Sequence, residues 1–307
     1  MKEKFEKLQF LDKDSKRSFQ NFLKDTKKRK ISIFCGAGVS VSAGLPTWYS
    51  FLKKIVSTFL VHWQFLEENN PAFKDRVPQN MSIALIGEYF EEQLPKGLSD
   101  EFLNEDSLIL AQLIQNCIEQ KNWIYLLRKS LYGEGNENLK KSKLLKSIRK
   151  FIIENNEITD SVITYNYDDL IELSLKNKLF KTSSIVKENN FSPNKNFPIY
   201  HVHGILPIKG GLNSKIYLSE DDFLTEIKQP TSWYNNLHAS KLTNNCCLFI
   251  GLSFNDPSLK RLLATYRLNP KTYHYALLTH GESEFARKKF LLLKNELLRL
   301  NVRVIKY

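Results

Sequence analysis

Glycine is scarce in this sequence: only 12 of its 307 residues, against 20 phenylalanines. Cysteine is rarer still. The four cysteines, Cys35, Cys117, Cys246 and Cys247, form no C-x-x-C pair, and no histidine spacing completes a zinc site. A disulfide framework and a metal module are therefore not expected. Cys246 and Cys247 fall in an apolar run and read as small core residues. Long hydrophobic runs are missing too; none approaches the ~20 residues that span a bilayer. The first residues, MKEKFEKLQFLDKDSKRSFQ, are charged and lack the apolar stretch of a secretion signal. The expectation is a soluble, cytoplasmic protein without membrane contact.

Aromatic and basic residues are plentiful. With 20 Phe, 13 Tyr and 4 Trp among 42% apolar residues, the chain has ample material for a core. Its net charge is +12, from 45 basic and 33 acidic residues. A positive field attracts anions such as nucleotides, nucleic acid or an acidic partner, without choosing among them. The densest basic runs, KDTKKRK (24–30) and LKKSKLLKSIRK (139–150), sit beside predicted elements and read as solvated faces. No aromatic-and-basic motif accompanies them, so direct nucleic-acid binding is not expected.

Hydrophobic periodicity divides the chain. Residues 1–30 alternate charge with Phe5, Leu8, Phe10, Phe19 and Phe22, the pattern of an amphipathic helical segment. ISIFCGAG (31–38) is a short, wholly apolar strand, as expected where helices cover both sheet faces. From 47 to 157 the apolar spacing is three and four, which predicts a large helical insertion after that first strand. Short β-rich runs return at 160–168, 197–206, 246–254, 273–280 and 302–307, with helix-like stretches between them and a possible edge strand at 183–188. This alternation predicts an α/β fold: a Rossmann-like, doubly wound parallel sheet. The expected organisation is one domain, with 31–46 and 158–307 as its core.

Four of the predicted strands end in polar or glycine-rich residues. IFCGAGVSVSAGLP (33–46) places Gly36, Gly38 and Gly44 after a strand. Such a loop lets backbone approach a phosphate and turns N–H groups toward it, though a tight turn without a ligand uses glycine as well. It is not G-x-G-x-x-G, and no Lys-Ser/Thr follows as in a P-loop. TYNYDD (164–169) puts Asn166 at a strand end, as a site residue or an N-cap; Asp168 and Asp169 are the better caps. HVHG (201–204) offers two histidines that strand alternation would put on one face, with His203 nearer the strand end as a general base or a structural residue. GLSFNDPSL (251–259) presents Ser253 and Asn255 to a ribose or phosphate, or merely caps a helix opened by Pro257. Ligands of open α/β sheets bind outside the carboxyl ends of the strands, and four polar strand ends on one edge suit a nucleotide-sized site.

These segments resemble those of sirtuins. GAGVSVSAGLP is similar to the opening motif GAGxSxxxGxP at every fixed position, TYNYD to T-x-N-x-D, and HVHG to the segment ending in His-Gly, in the same chain order. GLSFNDPSL and IYLSEDDF (216–223) resemble the forms found in sirtuin-like domains of bacterial anti-phage defence systems. The resemblance implies an NAD⁺ site, with NAD⁺ as substrate. Gly36, Ala37, Gly38 and Ser40 would line the pyrophosphate and adenosine side, Asn166 would position a hydroxyl or water by the nicotinamide ribose, and His203 would be the base. Gly44, Pro46, Asp168, Gly251, Ser253 and Asn255 complete the implied dinucleotide set, with Asp168 either in contact with the dinucleotide or holding the loop and Ser253 meeting the adenosine end.

The departures narrow the expected activity. Where protein deacylases continue P-D-F-R, this chain has Pro46-Thr47-Trp48-Tyr49. The four-cysteine zinc module is absent, and PIKGGLNSK (207–215) stands in its place in the chain order. The resemblance thus implies an NAD⁺ glycohydrolase of anti-phage defence. Homo-oligomerisation, and a defence partner such as a ring ATPase, an Argonaute-type protein or a sensor domain, belong to the same expectation. A non-catalytic module that binds NAD⁺ or ADP-ribose and a protein deacylase are the alternatives.

Overall fold

The computed structural model describes residues 11–55, 59, 115–116, 120–133, 142–176, 180–186, 196–209, 216–218, 232–267 and 272–307. Among them, seven strands form one parallel sheet: β1 (Ile31–Cys35), β2 (Thr159–Thr164), β3 (Thr182–Ile185), β4 (Phe197–His201), β5 (Cys246–Ile250), β6 (His274–Leu278) and β7 (Val302–Lys306). Their order is β3-β4-β2-β1-β5-β6-β7. The chain winds outward from β1 on one side, then returns to lay β5 on the other side. That reversal makes a crevice at β1, where open α/β sheets take their ligands. The fold is the α/β, Rossmann-like, doubly wound sheet expected from the sequence.

Every residue of β1 and of β5 is buried. Helices on both faces account for this. The helices are α1 (Lys13–Asp25), α2 (Ala37–Val41), α3 (Gln120–Tyr132), α4 (Lys143–Glu154), α5 (Leu170–Leu175), α6 (Trp233–Asn244), α7 (Pro257–Thr265) and α8 (Glu284–Arg299). Residues of α1, α3, α4 and α5 pack with Ile33, Cys35, Val162 and Ile199 on one face. Residues of α6, α7 and α8 pack with Phe34, Ile163, Cys247 and Phe249 on the other. Cys246 and Cys247 are buried on opposite faces as core residues, while Cys117 lies outside the described residues.

Residues 48–55, α3 and α4 are helical between β1 and β2. Most of 56–119, residues 1–10 and most of IYLSEDDF fall outside the described residues. The short edge strand expected at 183–188 is β3, at one border of the sheet. Helix α6 was not foreseen. It buries Tyr234, Asn235, Leu237, His238 and Leu242, so polar and apolar residues alike face the protein and no apolar stripe forms. Among the described residues no helix is long and apolar enough to cross a membrane.

Candidate functional site

The strand ends fall in one row. Cys35 pairs with Thr164 on one side and Ile250 on the other, and Thr164 pairs with His201. Each polar motif therefore starts just past the same line, and the four open on one edge of the sheet.

The glycine loop is locked to the end of β5. The Gly36 N–H donates to the Ile250 carbonyl (2.9 Å), and the Gly38 N–H to that of Gly251 (2.9 Å). A Cβ on Gly36 would come within 2.6 Å of the Gly251 oxygen, and one on Gly38 within 2.8 Å of the Gly251 Cα. Gly251 has φ +67°, and a Cβ there would lie 2.6 Å from the Val39 nitrogen. Close backbone approach thus explains these three glycines without a ligand. It also changes one expectation: the Gly36 and Gly38 N–H groups are engaged inside the protein rather than turned toward an anion. Ala37 opens α2, and Gly44, with φ +91°, turns the chain out of it toward Pro46.

Thr47 occupies the place of the deacylase aspartate. Its hydroxyl accepts from the Ser50 N–H (3.2 Å), so it caps the helix over 48–55. Tyr49, in place of the arginine, has the Lys53 ammonium 4.5 Å above its ring. Trp48 lies 6.1 Å from the Tyr167 ring centroid.

Asn166 is pinned, not free. It is 8% exposed, and its Nδ2 donates to the Gly36 carbonyl (3.0 Å) and to Ser40 Oγ (2.8 Å). Both amide hydrogens are thereby taken up, which leaves the side-chain oxygen as an acceptor. Ser40 in turn donates to Asp168 Oδ2 at 2.5 Å. Asp168 Oδ1 accepts from the Leu170 N–H (3.1 Å) at the start of α5. Burial raises the Asp168 carboxyl to about 6, against the pull of Ser40, the Leu170 N–H and His201. Asp169 holds the N-cap position, but its side chain accepts from Tyr132 Oη (3.3 Å) and the Ile208 N–H (3.2 Å) instead of capping α5.

The two histidines of HVHG part company. The strand ends at His201, so the alternation that would align them stops there. His201 is fully buried, with Nε2 2.6 Å from Glu172 Oε1 on α5. Burial opposes its charge, but Glu172, Asp168 and the Asn166 carbonyl lift it above its ordinary value. His203 sits in the following turn, half-buried among rings: Tyr165 edge-on at 5.4 Å, Tyr234 at 6.1 Å and Tyr167 at 6.5 Å. Loss of water there pushes the imidazole down to about 4, so it is neutral at physiological pH. Two of the three rings flank Asn166 in sequence.

Ser253 and Asn255 lie exposed beyond β5, and the Asn255 N–H donates to Ser253 Oγ (3.3 Å). Phe254 between them is buried with φ 57°, which holds the turn in a left-handed conformation. A cavity of about 40 Å³, bordered by Arg267, His274 and Asn301, lies at the opposite end of the strands. Of the expected residues, the structure brings together Gly36, Gly38, Ser40, Asn166, Asp168 and Gly251 in one contact network.

Residues 160–304 match the family model of the SIR2-like domain. Over that stretch the chain is similar to the SIR2-like domain. The match starts in β2 and runs into β7, leaving β1 and the glycine loop outside it. The NAD(+) hydrolase ThsA of Enterococcus faecium is 24% identical over 258 residues, which cover 83% of this chain and 43% of that protein. This chain therefore spans less than half the length of the relative it matches.

The candidate site also holds residues that sequence reasoning passed over. Tyr165 donates its hydroxyl toward His238 Nε2 (2.7 Å), and Tyr167 Oη donates to the Tyr217 carbonyl (2.6 Å). The tyrosines adjoin Asn166 in the motif and were visible there. His238 sits in α6, whose mixed faces gave no signal.

Proposed function

We propose that this chain is an NAD⁺ glycohydrolase that releases nicotinamide and acts as a bacterial anti-phage defence effector by depleting NAD⁺. The observation that carries the reading is the pinned Asn166 at the crevice, with the neutral His203 imidazole behind the flanking tyrosines. The relative named as an NAD(+) hydrolase supports the substrate.

The nicotinamide–ribose bond breaks through an oxocarbenium-like transition state with a good leaving group. The protein must grip the dinucleotide, order a water and give modest base assistance. Asn166 Oδ1 accepts a hydrogen bond from the water or a ribose hydroxyl. His203, neutral at pH 7, accepts the proton as the water adds to C1′ and nicotinamide leaves. The walls formed by Gly36, Ala37, Gly38, Ser40, Gly44 and Pro46 on one side, and by Gly251, Ser253 and Asn255 on the other, receive the pyrophosphate and adenosine. Asp168 holds Ser40, and through it Asn166. No step requires a metal. Constant NAD⁺ cleavage would poison the host, so control by homo-oligomerisation or by a defence partner is part of the proposal.

Nicotinamide release by purified protein tests it. His203→Ala and Asn166→Ala should each lower the rate by ~10²–10⁴-fold while the fold is kept. A folded variant with wild-type turnover removes that residue from the mechanism. NAD⁺ bound without turnover by wild type, with partner present, replaces the hydrolase with a binding module. Deacylation of an acetyl-peptide would replace it with a deacylase; the Thr47 cap and Tyr49 speak against that outcome.

A further inference from the structure

Helix α6 brings a second histidine to the back of the site. His238 is fully buried, one turn after Tyr234. Its Nδ1 lies 2.7 Å from the Tyr234 carbonyl, which can only accept, so Nδ1 carries the proton. Burial pushes the ring down to about 4, so it is neutral and its Nε2 is an acceptor. Tyr165 Oη, 2.7 Å from that Nε2, must therefore be the donor. Burial, with Tyr234 and Asp256 nearby, holds the Tyr165 phenol well above its ordinary value, so it keeps the proton to donate. The helix backbone thus fixes the His238 tautomer, the tautomer fixes the Tyr165 hydroxyl, and the Tyr165 ring meets His203 edge-on at 5.4 Å.

We propose that the Tyr165–His238 hydrogen bond is a positioning device for His203: it clamps the Tyr165 ring so that the His203 imidazole is held at one angle and shielded from water on that side. His238 and Tyr165 act through His203 and are positioning residues. Their partners are distributed over three elements, which a lone loop cannot imitate. Tyr165 and Tyr167 come from the β2–α5 connection, Tyr234 and His238 from α6, and Asp256 from the loop after β5. His238 penalises a second positive ring beside it, and Asp256 acts on Tyr165 and His238 from the β5 side. The catalytic part of the inference rests on the hydrolase reading; the orientation and dryness of His203 do not.

The test is an NMR titration of the six histidines in wild type, Tyr165→Phe and His238→Gln, with His203→Ala to assign the signal. Wild-type His203 is expected to titrate near 4, and the Tyr165→Phe signal to climb toward the ordinary 6.5 as the ring loosens and water enters. Tyr165→Phe removes one oxygen and keeps the ring, so it decides the matter even should His238→Gln fail to fold. Nicotinamide release in Tyr165→Phe and His238→Gln should show roughly tenfold lower kcat with KM little changed, since orientation and not substrate grip is lost. Folded variants whose His203 titrates as in wild type overturn the proposal. Wild type that cleaves no NAD⁺ under any assembly state overturns the hydrolase reading, while the titration still rules on the clamp.

Discussion

His201 and His203 are two residues apart, and their surroundings shift them in opposite directions. His201 leans on Glu172 and is pulled toward the cation; His203 is stripped of water by tyrosines and pushed toward the neutral ring. The neutral His203 ring has a free form that can accept a proton at neutral pH. A base with a lowered value loses activity only where it becomes protonated. The acid limb of kcat/KM is therefore expected near pH 4, well below the 6.5 of an ordinary histidine. Asp168, raised to about 6, and His238, pushed down to about 4, also titrate in this range, and Asp168→Asn and His238→Gln separate them from His203. A single limb near 6.5 that Asp168→Asn leaves unmoved would show that His203 is not buried as described. The sequence already distinguished His203 by its place past the strand. It did not reveal the reason for the difference, because Glu172 lies 29 residues before His201 and meets it only through the fold.

The elements explain what was legible. β1 and β5 are buried on both faces, so their residues read as apolar runs, broken in β1 by Ser32, and the parallel sheet follows from their alternation with helices. The glycines and Asn166 were legible as motifs because chemistry confines them to short spacing. Their partners were not. The match of Gly36 and Gly38 to Gly251 joins positions more than two hundred residues apart, and α6 hides His238 in a helix without an apolar stripe. The lock between β1 and β5 yields a sharp expectation. Gly251→Ala puts a Cβ 2.6 Å from the Val39 nitrogen at φ +67°, and both neighbours are backbone. Loss of about 2 kcal/mol or more is expected in urea unfolding, with the midpoint lowered and the slope unchanged. Wild-type stability in that variant would mean the loop is not seated on β5.

At the scale of the molecule, α1 ties the far edge of the sheet to its centre. It leads directly into β1, yet its side chains serve β6 and β7. The Lys306 N–H donates to Ser15 Oγ (2.9 Å), Tyr275 Oη to Asp25 (2.7 Å), and the Phe22 ring meets Tyr275 edge-on at 5.2 Å. Phe22 is 4% exposed, so Phe22→Ala should cost about 3–4 kcal/mol by denaturant melting, without altering nicotinamide release from the folded fraction. A change below 1 kcal/mol would mean that α1 is not docked there. The strap has a consequence for synthesis. At ~5–20 residues per second, β7 leaves the ribosome about 280 residues after Phe22, a wait on the order of 15–60 s. Until β7 emerges, the greasy side of α1 lacks part of its berth. Birth of this protein is therefore a delayed closure, and a nascent chain stalled short of β7 offers that side of α1 to chaperones.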